Sequence, residues 1–481
     1  MYDLTVVNGT LVTEDGVRDA DVAVAGKLVE AIGEPGAFES AARRVIDARG
    51  MLVLPGGVDP HVHYDLEALG ARSESADHSI AAVFGGNTTV IDFAFQVPPQ
   101  SAHDAVAERK ALFEGRMAPD WGLHVILAGE VPFEVIDEIG DLVRGGIATI
   151  KTMTTYGWMC DDGHRWGVMN AVAEAGGLSV IHAEDDAIAR WLTKKYVREG
   201  KTHGAYISET RPSLVEEAAI RRALLLAERS GSALYVLHVA AGAGAEAIAE
   251  ARAKGLPCYG ETLTPYLSFT ADALWEERRG LLYNNYPTIK TQDDQDVLWQ
   301  AIADDRLQAV SSDHFLIKAV DRNTRMGVTV EDLQCGQAGV ELRIPVLYTL
   351  GVASGRLELE RFVELVATNP AKLMGLYPRK GTLAVGSDAD IVVFDPQRRW
   401  TVALGALHMD SDYSCWEGWE LQGKPRTVVL RGTVVVEDEQ AVGPRDSGRF
   451  LPRTIPRAVL DRTLDPSFTD RRRAGIAGAT R

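Results

Sequence analysis

Cysteine is scarce in this chain. Cys160, Cys258, Cys335 and Cys415 stand far apart, with no C-x-x-C pair among them. That argues against a disulfide framework or a cysteine zinc site and predicts a reducing, cytoplasmic setting. Long apolar runs are missing too, so no membrane span is expected. The start, MYDLTVVNG, has no basic segment followed by an apolar one, and no secretory signal is predicted. Positive charge is in deficit: 50 Lys and Arg face 68 Asp and Glu, a net charge of -18. Nucleic acid and anionic membranes both require a basic face, so neither is an expected partner. The sequence also lacks H-E-x-x-H, Walker A and G-x-S-x-G motifs, which removes the commonest metalloprotease, NTPase and α/β-hydrolase readings.

What is present is an ordinary globular composition, 46% hydrophobic and 25% charged, spread over 481 residues. That length exceeds one ordinary core. Both ends read as β-rich. Leu4 to Val7 and Asp21 to Val24 form short strand patterns, with turn signals at Asn8-Gly9 and Ala25-Gly26. Near the other end Ala389 to Phe394, Thr427 to Leu430 and Thr433 to Val436 read as strands, with Arg431-Gly432 in a turn. The middle alternates between short apolar runs and helical patterns such as Leu214 to Arg229. Eight runs recur: Met51 to Leu54, Thr88 to Phe93, Leu123 to Leu127, Ala148 to Lys151, Leu178 to Ile181, Ala233 to Leu237, Leu256 to Tyr259 and Leu307 to Val310. Strand-helix alternation on this scale predicts an α/β fold, a (β/α)8 TIM-like barrel. The expected organisation is a barrel over 54–378, with a small β-sandwich made from 1–53 and 379–450. The last stretch, 451–481, has little apolar periodicity and reads as an extended arm that could lie on a partner subunit.

Chemistry concentrates at the ends of the apolar runs. In Pro55-Gly-Gly-Val-Asp-Pro-His-Val-His63, His61 and His63 are two residues apart, so on extended backbone both imidazoles face one side. His182 ends Leu-Ser-Val-Ile, His238 ends Leu-Tyr-Val-Leu, and Asp313 follows Ala-Val-Ser-Ser. Any one of these could be a hydrogen-bonded polar residue at a strand end. Together they sit at the end where barrel enzymes place their chemistry, and four imidazoles with a carboxylate suit zinc or a similar divalent metal. Lys151 ends Ala-Thr-Ile-Lys. A lone buried ammonium is costly, so either it reaches the rim, pairs with an acid, or has reacted with carbon dioxide to become an anionic carbamate ligand.

The chain resembles the dihydropyrimidinase, hydantoinase and allantoinase branch of the amidohydrolases. The resemblance runs from the N-terminal strands to about residue 450, and its marks are PGGVDPHVH, GGNTTVIDFA at 85–94, IKTMTTY at 150–156, VIHAED at 180–185, LHVAAG at 237–242, SSDH at 311–314, ATNPAKLMGLYPRKGTLAVGSDADIVV at 367–393 and SCWEGWELQGKP at 414–425. The resemblance implies two divalent metals, zinc by preference, held by His61, His63, Lys151, His182, His238 and Asp313. It implies that Lys151 is carboxylated and bridges the metals, that Tyr156 stabilises the oxyanion, and that Asp313 moves the proton. The implied activity is opening of a small cyclic amide by metal-bound hydroxide, a dihydropyrimidine or 5-substituted hydantoin giving an N-carbamoyl amino acid. The implied assembly is a homotetramer.

Several segments depart from the family pattern. A Ser-Pro-Pro-like turn is replaced by Asn284-Asn-Tyr-Pro-Thr-Ile-Lys290, which puts Tyr286 where a substrate-contacting serine is usual. Ala338 stands where an asparagine is expected before Gly339. Thr154, Thr155 and Trp158 point to an altered pocket loop, although Trp158 also reads as packing filler. Asp65 stands where relatives that bind a carboxylated ring carry arginine, and it reads as a solvated loop carboxylate. Allantoin or another cyclic imide or lactam remains an alternative substrate, and a metal-free scaffold protein is the remote alternative. Gly242-Ala-Gly-Ala-Glu-Ala247 matches a dinucleotide fingerprint, but here its glycines fit a tight turn.

Overall fold

The computed structural model describes residues 1–38, 42–68, 71–321 and 328–461. An eight-stranded parallel sheet forms the centre, in the order of its strands along the chain. We number these β1 (Gly57–Asp59), β2 (Asn87–Gln96), β3 (Asp120–Leu127), β4 (Thr149–Met153), β5 (Leu178–His182), β6 (Leu234–Val236), β7 (Cys258–Leu263) and β8 (Ala309–Ser311). Helices alternate with them outside, among them Ala102–Phe113, Asp162–Ala175, Ser213–Ser230, Gly242–Ala253 and Gln292–Ala303. The helix predicted over Leu214 to Arg229 is therefore present.

The barrel is nearly closed. Between β1 and β8 the ladder shrinks to one bridge, Val62 with His314, and a bond from the His63 N–H to the His314 carbonyl at 2.7 Å. Side chains complete the seam. Asp59 accepts from the Ser312 N–H at 3.2 Å, and the buried Arg343 guanidinium reaches Asn87, Val310 and Val366. The glycines of the Pro-Gly-Gly turn serve close approach here. A Cβ on Gly56 would stand 2.1 Å from Thr88 Oγ1, and one on Gly57 2.7 Å from Ile344.

The first apolar run is assigned differently from expectation. Met51 to Leu54 does not open the barrel. Leu52–Pro55 pairs with Tyr2–Thr13 and Ile391–Thr401 in the terminal sheet, and β1 is the short Gly57–Asp59 just after it. The run is buried because it is interior to that other sheet, which apolarity alone does not distinguish. Both termini contribute to the sheet, as predicted: nine strands join into one mixed hydrogen-bonded sheet, and apolar side chains from both ends of the chain share one core. The Asn8-Gly9 signal is a bulge within Tyr2–Thr13 rather than a turn: Asn8 takes a φ of 62° and the pairing shifts register there. Arg431-Gly432 does form the expected tight turn, both residues having positive φ.

The sequence reading of the terminal stretch is an extended arm that could lie on a partner subunit. Its described part, 451–461, packs into the N-terminal end of this chain's own barrel, and the remainder lies outside the described residues. Leu451, Ile455 and Val459 join the cluster formed by Ala148, Leu178, Ala233 and Tyr259. Arg453, 1% exposed, bonds the Leu123 carbonyl and, at 2.7 Å, Thr149 Oγ1. Three buried apolar side chains spaced by four residues supply the anchor that weak periodicity obscured.

Candidate metal centre and active-site cleft

The C-terminal ends of the barrel strands bring the sequence-predicted residues together. His61 and His63 follow β1, Lys151 lies in β4, His182 ends β5, His238 follows β6 and Asp313 follows β8. All six are buried, none more than 8% exposed. His61 Nε2 is 3.2 Å from His63 Nε2 and 3.1 Å from Asp313 Oδ1, and His63 Nε2 is 3.4 Å from the same oxygen. Three such atoms within 4.8 Å of one another can hold a cation. Beside them His182 Nδ1 faces His238 Nε2 at 2.9 Å.

Electrostatics favours ligands over charges. Burial pushes His61, His63 and His238 well below the ordinary imidazole range and His182 below it, which keeps the rings neutral as metal binding requires. Acidic partners fix two tautomers. Glu261 Oε1 takes His61 Nδ1 at 2.7 Å, leaving His61 Nε2 for the cluster, and Glu184 Oε2 takes His182 Nε2 at 2.9 Å, leaving Nδ1. Lys151 is 3% exposed, its Nζ lies 4.3 Å from the centre of the Phe93 ring, and no ion pair reaches it among the described residues. Burial lowers its pKa to about 8, against the pull of Asp313 and Glu261. Neutral imidazoles, a carboxylate and a readily deprotonated lysine make a donor set that fits divalent metal.

Tyr156, on the loop after β4, donates its hydroxyl to Glu184 Oε2 at 2.9 Å. Arg211 pairs with the other Glu184 oxygen at 3.0 Å and lies over the rings of Tyr156 and Tyr286 at 5.1 and 5.0 Å. Tyr286 lines the cleft, its hydroxyl fixed on the Leu333 carbonyl at 2.8 Å. Leu66, Phe95, Ile126, Met153, Trp158 and Phe315 make an apolar wall. Trp158, edge-on to Phe95 at 5.1 Å, thus faces the cleft as well as filling space.

Two residues lie elsewhere. Ala338 is fully buried and outside the cleft lining, next to Gln337, which exchanges two backbone bonds with Phe315. Asp65 is not a solvated carboxylate. It is 9% exposed and paired with Arg72 at 3.1 Å and Arg116 at 3.2 Å. The glycines of Gly242–Ala247 face helix packing rather than a nucleotide: a Cβ on Gly244 would stand 2.7 Å from Ile220, and the Gly242 N–H donates to Asp294 at 2.9 Å. Sequence reasoning missed Glu261, Arg211, Asn285 and Cys335, of which the last two line the cleft. Glu261 carried a signal: an acid inside the apolar strand β7, beyond the predicted end at Tyr259.

The amidohydrolase family model matches residues 52–435. A D-hydantoinase of Rhizobium radiobacter is 38% identical over 458 residues, covering 94% of this chain and 99% of its own. One of Geobacillus stearothermophilus is 36% identical, with 95% and 97% covered. Among solved structures, a dihydropyrimidinase from Brevibacillus agri superposes with a TM-score of 0.90 at 35% identity, covering 94% of this chain and 99% of that one. An L-hydantoinase (dihydropyrimidinase) from Arthrobacter aurescens gives 0.88 at 32% identity, covering 94% and 100%. With the barrel, the histidine-aspartate cluster and these relatives in agreement, this chain belongs to the amidohydrolase family.

Proposed function

We propose that this protein is a metal-dependent cyclic amide hydrolase that opens a dihydropyrimidine or a 5-substituted hydantoin to an N-carbamoyl amino acid. The observation that carries the reading is the convergence of His61, His63 and Asp313 beside the His182–His238 pair on the floor of an apolar cleft. In this reading His61, His63 and Asp313 hold one divalent ion, zinc by preference, and His182 and His238 hold a second. Bound ions of this kind lower the pKa of water and polarise the amide carbonyl.

Lys151 is assigned as a carbamate, which would supply an anionic ligand to the metal centre. Its neutral amine would attack carbon dioxide and release a proton. A pKa of about 8 raises the neutral fraction near pH 7.5 by about two orders of magnitude over free lysine. Tyr156 is assigned to the carbonyl oxygen, where its hydroxyl would leave Glu184 to donate to the developing charge. Asp313 would take a proton from the attacking water and deliver it to the leaving ring nitrogen, as the C–O bond forms and the C–N bond breaks.

The cleft wall of Leu66, Phe95, Ile126, Met153, Trp158 and Phe315 favours an apolar ring substituent, and Tyr286, beside Tyr156, lines the same cleft. Ala338 would act only indirectly, through the backbone beside Phe315. A carboxylated ring is disfavoured, because Asp65 occupies the loop after β1 and is itself bound to arginines. The proposal extends to a homotetramer in a reducing cytoplasm. Four buried cysteines without a disulfide support that compartment, and among the described residues no helix is long and apolar enough to cross a membrane.

The test is a ring-opening assay of zinc-loaded protein on dihydrouracil, 5-substituted hydantoins, allantoin, dihydroorotate and simple cyclic imides. Turnover of dihydrouracil or hydantoins, with dihydroorotate inert, is the expected result. Failure on every ring at full metal occupancy would overturn it.

A further inference from the structure

Asp313 is held from two sides. Its Oδ1 faces His61 and His63 at 3.1 and 3.4 Å, while its Oδ2 accepts from Asn285 Nδ2 at 3.0 Å. Asn285 is 2% exposed, lines the cleft, and comes from the Asn284–Lys290 segment in which this chain departs from the family pattern. A carboxylate only accepts, so the amide must turn its NH2 group to Asp313, and the carbonyl oxygen of Asn285 necessarily points away. Asp313 also sits on strained backbone, with a φ of 45° that a non-glycine residue adopts only when its surroundings enforce it. Carboxylates in metal sites rotate readily about their last torsion, which is broad. The Asn285 bond removes that freedom.

We propose that Asn285 is a positioning residue for Asp313. It divides the two carboxylate oxygens between separate tasks, Oδ1 to the histidine pair and its cation, Oδ2 to the cleft side where the ring lies. Through the cleft side it rests on the cyclic-amide reading, but its cation side does not. Outer partners of metal ligands typically contribute about 10- to 100-fold in metal affinity or activity, and they act by orientation rather than by contact with the metal.

The experiment compares wild type, Asn285→Ala and Asn285→Asp, each loaded with cobalt(II) and titrated by visible absorption, with circular dichroism to verify folding. Asn285→Ala should bind cobalt about 10- to 100-fold more weakly and show an altered visible spectrum. Asn285→Asp is nearly isosteric but sets a second carboxylate against Asp313 Oδ2, so it should be at least as damaged. Affinities within twofold of wild type with an unchanged spectrum in both folded variants would overturn the proposal. Ring-opening kinetics on the same samples form the second arm. At saturating metal, Asn285→Ala should lower kcat at least tenfold while KM moves less than threefold; unchanged kcat would equally overturn the assignment. Should wild type open no ring, the functional reading fails, and the cobalt arm alone decides whether Asn285 positions Asp313.

Discussion

Replacement of Glu184 by glutamine perturbs three partners at once. The carboxylate is fully buried and meets His182 Nε2 at 2.9 Å, the Tyr156 hydroxyl at 2.9 Å and Arg211 Nη1 at 3.0 Å. A glutamine carbonyl placed where Oε2 stands keeps His182 and Tyr156 but turns an NH2 group against the guanidinium. The reverse orientation satisfies Arg211 but turns the NH2 group on the Tyr156 hydroxyl and His182 Nε2, which must then accept, forcing a new hydroxyl rotor and the other imidazole tautomer. Either way Arg211, whose side chain is 12% exposed, loses its counter-charge. Removing one partner of a buried pair costs about 3–5 kcal/mol, and the tyrosine ring faces beneath Arg211 return part of that, so a loss of about 2–4 kcal/mol is expected. Urea denaturation of the metal-free proteins reads this directly, without metal linkage. The pH dependence supplies a second check. Burial pushes the Glu184 carboxyl up, but Arg211 and His182 more than offset this and hold it well below the carboxylate range. Its contribution is thus fully present above the unfolded value of about 4.3 and is lost as pH falls below it. The gap between wild type and Glu184→Gln should therefore narrow between pH 5 and the lowest pH at which both proteins stay folded. A loss below about 1 kcal/mol at pH 7, or a gap indifferent to acid, would refute the reasoning.

Tyr156→Phe should lower kcat by about 10²- to 10³-fold with metal content unchanged, measured by steady-state kinetics beside metal analysis. Asp313→Ala should abolish turnover and release metal from the His61–His63 side; near-wild-type activity would remove it from the proposed mechanism. Dialysis against a chelator should eliminate activity, and zinc should restore it as occupancy returns to two ions per chain. Tyr286→Ser should raise kcat/KM for hydantoins with bulky substituents relative to dihydrouracil. It also breaks the bond to the Leu333 carbonyl, a loss of about 1 kcal/mol visible in the urea midpoint.

The parts of the fold that follow from periodicity were legible. The interior strands β2 to β6 carry apolar runs long enough to be recognised, and Ser213–Ser230 shows its helical spacing openly. Strand β1 was not, because Gly57-Val-Asp59 is three residues long and stands beside the stronger apolar run Leu52–Pro55, which pairs elsewhere. The metal cluster was legible because each candidate ligand other than Lys151, which lies within β4, ends or follows a strand on the same side of one sheet, so chain position places them together. Glu261, Arg211 and Asn285 were not legible in the same way. Arg211 and Asn285 come from irregular segments, 29 residues beyond His182 in one case and 28 before Asp313 in the other, and no period relates them to a strand. Ala338 shows the converse: a sequence position singled out by comparison lies behind the cleft, because the Gln337–Phe315 pairing decides which residues of that segment face the ring.

Backbone conformation explains why three of the candidate site residues sit where the regular structure stops. Tyr156, His238 and Asp313 have φ values of 65°, 38° and 45°. None is glycine, and each such residue costs on the order of 1–3 kcal/mol, persisting only where neighbours over-determine it. The neighbours are identifiable. Tyr156 is tied to Glu184, Asp313 to Asn285, and the His238 N–H reaches Glu261 at 3.4 Å while the next N–H, of Val239, bonds the Glu261 carbonyl at 2.8 Å. A strand that continued in extended geometry would send alternate side chains to opposite faces, one of them away from the barrel axis. The left-handed step bends the chain at the rim and turns the side chain inward over the histidine-aspartate cluster. The acids that fix the histidine tautomers thus also hold this strained rim, which makes Glu184 and Glu261 sites where orientation of the ligands and shape of the backbone are set together.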